Sequence, residues 1–125
     1  MTPDPQRMDW MPSPPLAPLV NPLDLDHLAR MTLGDAGLEH EVLAMFAKQS
    51  TELIASMAGL PAETPAQAHK LKGSACGIGA LAVAEAAAGL ESAIRTGDNP
   101  SRAFAELKEA VAEACDAIEV ILRQS

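Results

Sequence analysis

The run Ala68-His69-Lys70-Leu71-Lys72-Gly73-Ser74-Ala75 divides a helix cleanly into two sides. At about 100° per residue, Thr64, Ala68, Leu71, Ala75 and Ile78 gather on one side, while His69, Lys72, Gly73 and Cys76 gather on the other. A histidine opposite an apolar stripe faces water, where a partner can reach its ring. Glycine inside a helix costs roughly 1 kcal/mol relative to alanine, so Gly73 is read as a bare patch of backbone kept beside His69 for approach. An exposed imidazole, a lysine one turn on and no side chain in the way point to a phosphorylation site read by another protein.

Outward from this run, Thr64-Pro65 opens the helix, since proline is tolerated in the first turn. Gly77-Ile78-Gly79 closes it, where glycine can take the left-handed stop conformation. Upstream, Pro22 opens a short helix over residues 23–32 with Leu25, Leu28 and Ala29 inward. Gly34-Asp35 turns the chain, and Asp35 caps a long helix over residues 36–57. Leu38, Val42, Met45, Phe46, Gln49 and Leu53 recur there at spacings of three and four. Gly59-Leu60-Pro61 ends that helix. Downstream, residues 80–95 place Val83, Ala84, Ala87, Leu90 and Ile94 on one face. Gly97-Asp98-Asn99-Pro100 is a turn. Residues 101–123 repeat the pattern with Phe104, Leu107, Val111, Ala114, Ile118 and Ile121. Four long helices with short connections predict an all-α fold, an antiparallel up-down-up-down four-helix bundle with the short first helix covering one end.

At 125 residues the chain suffices for one domain. With 2% aromatic residues and no tyrosine, its core must be built from Leu, Ile, Val, Met and much Ala, the best helix former. A formal net charge of -8 argues against nucleic acid, whose binders need a basic footprint; the acidity is read as solubility. Residues 1–22 form a proline-rich N-terminal tail, read as extended or disordered, and residues 23–125 form the bundle. Trp10, the only tryptophan, is read as folding loosely back onto the bundle, with a partner-binding anchor as the alternative. The tail has no continuous apolar run and fails as a signal peptide. Nothing later is long and apolar enough to span a bilayer, so a cytoplasmic protein is expected. Cys76 and Cys115 lack metal-ligand spacing and read as reduced thiols.

The motif resembles that of the histidine-containing phosphotransfer (HPt) domain family, approximately His-x-Leu-Lys-Gly-Ser/Ala, then Leu/Ile-Gly-Ala and later Leu-Glu. Here the matching residues are His69-Lys70-Leu71-Lys72-Gly73-Ser74, Ile78-Gly79-Ala80 and Leu90-Glu91. The resemblance runs from about Leu23 to the C-terminus. It implies a phosphorelay intermediate that accepts a phosphoryl group on His69 from the aspartyl phosphate of a receiver domain, on a hybrid sensor histidine kinase. The group then passes to the receiver aspartate of a response regulator. Those receivers are the expected partners. No cofactor is expected in this chain, Mg²⁺ being the receiver's contribution, and no metal, nucleic acid or membrane partner is expected.

A neutral imidazole attacks phosphorus through one nitrogen when the other keeps its proton and is held by an acceptor. Nε2 reaches furthest from the helix and is the expected phosphorylated atom. Glu91, on the flank of the next helix, is the candidate acceptor for Nδ1–H; a glutamate paired with Arg95 at i+4 is the plainer reading. Lys72 can offset phosphoryl charge through a charge-assisted hydrogen bond, with Lys70 and Arg95 adding to the positive field, although simple solvation is the favoured reading of Lys70. Gly73 and Gly77 leave room for a partner, and Ala88 and Arg95 flank the same surface. Cys76 either borders it or packs as a small residue, packing being favoured. His27 and His40 have no comparable setting. No phosphate-binding glycine loop or ATP-binding sequence is present, so the chain is read as an intermediate rather than an autonomous enzyme. A helical adaptor that binds receivers without phosphate chemistry is the alternative. The apolar stripes are hidden within the bundle, so a monomer is expected.

Overall fold

Each predicted helix is present in the computed structural model, which describes residues 22–124. The tail assigned to the first residues, with Trp10, lies outside the described residues. In chain order the helices are α1 (Leu25–Met31), α2 (Ala36–Met57), α3 (Thr64–Ile78), α4 (Leu81–Thr96) and α5 (Pro100–Arg123). Among the described residues there is no strand. Contacts join α2 to α3, α3 to α4, α4 to α5 and α5 back to α2, so the four long helices form a closed bundle, while α1 packs on α3.

Local chemistry fixes the helix ends. Asp35 accepts a hydrogen bond from the Leu38 amide at 3.0 Å, and Asn99 accepts one from Arg102 at 3.2 Å; both satisfy amides left free in a first helical turn. The first helix starts two residues later than its predicted onset, because Asp24 rather than Pro22 sets it, accepting from the His27 amide at 3.0 Å. The α3 terminus is the tightest joint in the fold. Gly79 adopts φ +82°, and its carbonyl accepts the Asp24 N–H at 2.8 Å. A Cβ on Gly79 would lie 2.9 Å from the Asp24 carbonyl oxygen. Thus α1 is pinned directly to the end of the helix that carries His69.

The core is aliphatic and alanine-rich. All five residues of the predicted α3 stripe, Thr64, Ala68, Leu71, Ala75 and Ile78, are buried. The four apolar ones share one cluster with Val83, Ala84, Ala87 and Leu90 of α4 and Leu107, Val111, Ala114 and Ile118 of α5. Alanines at the contacts let helix axes come close, and a core this dense tolerates little volume change. Thr64 is buried without loss because its hydroxyl donates to Pro61 O at 2.7 Å.

The inward faces of α1 and α2 differ from the sequence expectation. Leu25 is exposed, and Leu23 and Leu28 are buried instead, because the Asp24–Gly79 joint fixes the rotation of α1. In α2 the buried line is Leu43, Phe46, Ser50 and Met57. Leu38 and Met45 are exposed, and Val42, Gln49 and Leu53 are only half-buried. Ser50 takes an inward place that its polarity conceals, its hydroxyl donating to Ala47 O at 3.2 Å. Ile94, Phe104 and Ile121 likewise sit at the margin of the core, Ala93 being buried in place of Ile94.

Candidate functional site

The helical rotation that buries Leu71 sends His69 and Lys72 toward the α4 flank, where Glu91 projects from the edge of its own apolar stripe. His69 Nδ1 lies 3.3 Å from Glu91 Oε2, with the imidazole side chain 69% exposed and the carboxylate 23% exposed. Lys72 Nζ lies 3.5 Å from the other carboxylate oxygen, Oε1. One glutamate therefore faces both the inner ring nitrogen and the lysine, using one oxygen for each. Nε2 of His69 has no hydrogen-bond partner among the described residues. Exposed ion pairs contribute little to folding, so the arrangement adds little to the stability of the bundle.

Such geometry fits a specific tautomer. With its proton on Nδ1 and facing a carboxylate, the ring keeps an in-plane lone pair on Nε2. That nitrogen is then free to attack an electrophile from solvent. The lysine one turn on offers a mobile ammonium beside any anion that arrives, and it is already partly committed to Glu91.

Around this set the backbone is bare. Nothing lies within 4 Å of where a Cβ would stand on Gly73 or on Gly77. Cys76 is exposed on the same flank, which corrects the favoured reading of it as a packing residue; at i+7 from His69 it shares the histidine's outward direction. Lys70 is exposed and makes no ion pair among the described residues. Ala88 is half-buried on α4. Arg95 does not pair with Glu91: its guanidinium donates to Ser92 Oγ of its own helix at 3.5 Å. The carboxylate is thus taken by the neighbouring helix, and the alternative i+4 pair does not form.

His27 has a setting that its sequence context did not disclose. Its Nε2 lies 3.2 Å from the Gly77 carbonyl oxygen, so the ring can cap the last turn of α3 when that nitrogen carries the hydrogen. Only the α1–α3 joint brings the two together, across 50 residues of sequence. Sequence reading also passed over two concavities between helices. One, of about 390 Å³, lies between α4 and α5 and includes Ser92, Thr96, Asn99 and Arg102. The other, of about 290 Å³, lies between α2 and α3 and is lined by Val42, Met45, Phe46, Gln49, Ser74 and Ile78. The only sequence signal for the second was a surplus of apolar positions on α2, all of them assigned to the core. Among the described residues no helix is long and apolar enough to cross a membrane.

The family model for the Hpt domain matches residues 41–121. That span covers well over half of the chain and contains His69, Lys72, Gly73 and Glu91; α1 lies outside it. No curated protein matches the chain, and no solved structure matches it.

Proposed function

The chain belongs to the Hpt domain family, and from that premise we propose that it carries a phosphoryl group on His69 between receiver-domain aspartates. Hpt domains take part in phosphorelay phosphotransfer and interact with receiver domains. The donor is the receiver of a hybrid sensor histidine kinase, and the acceptor is the receiver of a response regulator. The protein works as a cytoplasmic monomer, with its four long helices running up-down-up-down.

The observation that most supports this reading is the His69–Glu91 approach of 3.3 Å through Nδ1. In the forward step the Nε2 lone pair attacks the phosphorus of an aspartyl phosphate. The N–P bond forms as the P–O bond to the aspartate breaks, and the aspartate leaves as a carboxylate. The imidazole ends with phosphorus on Nε2 and its original proton on Nδ1, a positively charged ring. Glu91 faces that charge, stabilising it and fixing the ring plane. Lys72 shifts from Glu91 toward the phosphoryl oxygens, where a charge-assisted contact offsets their negative charge. Return of the group to a second aspartate reverses each of these changes. The receiver would supply Mg²⁺ to offset charge on its own aspartate side; no residue of this chain is assigned to hold it. Lys70, Gly73, Cys76, Gly77, Ala88 and Arg95 border the surface that the receiver meets, Gly73 and Gly77 by leaving the backbone open.

Incubation with a phosphorylated receiver domain tests the reading. The label should move to this chain, be acid-labile, and map to Nε2 of His69. NMR titration with an unphosphorylated receiver should perturb Gly73, Cys76 and Gly77. Label on His27 or His40, or shifts confined to α5, would overturn the assignment.

A further inference from the structure

The α2 face is more apolar than its core duty requires. Leu38, Val42 and Met45 stand at i, i+4 and i+7, in line down one flank, and Met45 is 67% exposed. Among the described residues nothing covers this flank, yet it borders the groove of about 290 Å³ whose α3 wall is Ser74 and Ile78. Exposed apolar positions aligned beside a groove call for an occupant.

The chain holds one of suitable chemistry. Residues 1–21 include Met8, Trp10, Met11, Leu16 and Leu19 among six prolines. This segment joins the described part beside the groove, since Leu23 is buried and the Asp24 amide is bonded to Gly79 O, one residue beyond Ile78. An extended proline-rich strand spans about 3.1 Å per residue, so the twelve steps from Pro22 back to Trp10 reach roughly 37 Å. The flank from Leu38 to Gln49 is only about 16 Å long at a helical rise of 1.5 Å. Proline-rich segments lose little conformational freedom on docking, and a tryptophan brings a large apolar surface with few torsions to fix.

We propose that the N-terminal segment docks in cis along the α2–α3 groove, with Trp10 against the Met45–Val42 wall. The inference rests on the groove and on the point where the segment leaves the bundle, and it holds whether or not His69 is phosphorylated.

Trp10 is the only tryptophan, so its fluorescence reports the site in the full chain. Its emission should lie at shorter wavelength than that of a peptide of residues 1–21, with reduced acrylamide quenching, and both differences should be independent of protein concentration. Met45→Glu and Leu38→Glu, both at exposed positions, should return the emission toward that of the peptide while the far-ultraviolet circular dichroism stays helical. Three results would overturn the proposal. The first is full-chain emission and quenching equal to the peptide's. The second is a blue shift that neither substitution moves, which places Trp10 elsewhere. The third is a blue shift lost on dilution, which assigns the groove to a second copy.

Discussion

The two sides of α3 differ in what they do and in how they can be read. On one, Thr64, Ala68, Leu71, Ala75 and Ile78 are all buried against the bundle. On the other, His69 is 69% exposed, and Gly73 and Gly77 leave open space. The buried side holds the fold and contributes no chemistry. The exposed side is the one to which the proposed function assigns the chemistry and, on the glycine cost, it slightly destabilises the helix that presents it. Substitutions should therefore separate into those that unfold the protein and those that only silence it.

The largest effect should come from the buried side. Leu71→Ala leaves a cavity at the centre of the core and should cost roughly 2–5 kcal/mol, read from the midpoint of urea unfolding. The folded fraction should still accept label on His69. Next comes Gly79→Ala, which forces a side chain into the left-handed region and against the Asp24 backbone; about 1–3 kcal/mol is expected, measured in the same way. On the exposed side the sign reverses. Gly73→Ala meets open space and should stabilise the bundle by up to about 1 kcal/mol, while Gly73→Leu should slow transfer to and from receivers by blocking their approach. Transfer by the leucine variant at the parental rate would erase the distinction between the two sides. Lys72→Ala should change stability by no more than about 0.5 kcal/mol yet lower the transfer rate, whereas Arg123→Ala, at the far end of α5, should change neither.

The same contrast explains what was legible in the sequence. The α3 stripe could be read completely because its spacing is strict and its outward residues are charged or bare. The helix ends near Asp35, Gly79 and Asn99 followed from capping chemistry that is local. The α2 face misled because apolar residues occupy more than half of the helix circumference: spacing alone joined Leu38, Val42 and Met45 to Phe46, and the buried Ser50 was passed over. Which flank faces inward is decided by the neighbouring α3 and α5, not by α2 itself. Leu25 was misplaced for a similar reason, since a contact to Gly79 sets the rotation of α1. In the site, the approach of His69 to Glu91 agreed with the motif. The alternative pairing of Glu91 with Arg95 does not form because Glu91 turns across to the next helix, and the contact of His27 with Gly77 depends on an inter-helix joint that no local pattern encodes.

The central claim is that His69 alone carries the phosphoryl group while contributing almost nothing to the fold. His69→Gln keeps a polar side chain of similar reach on an exposed position. Its unfolding free energy should match the parent's within about 0.5 kcal/mol. Exposed to a phosphorylated receiver, the folded variant should take up no acid-labile label. Acid-labile label that persisted on a folded His69→Gln protein would contradict the account.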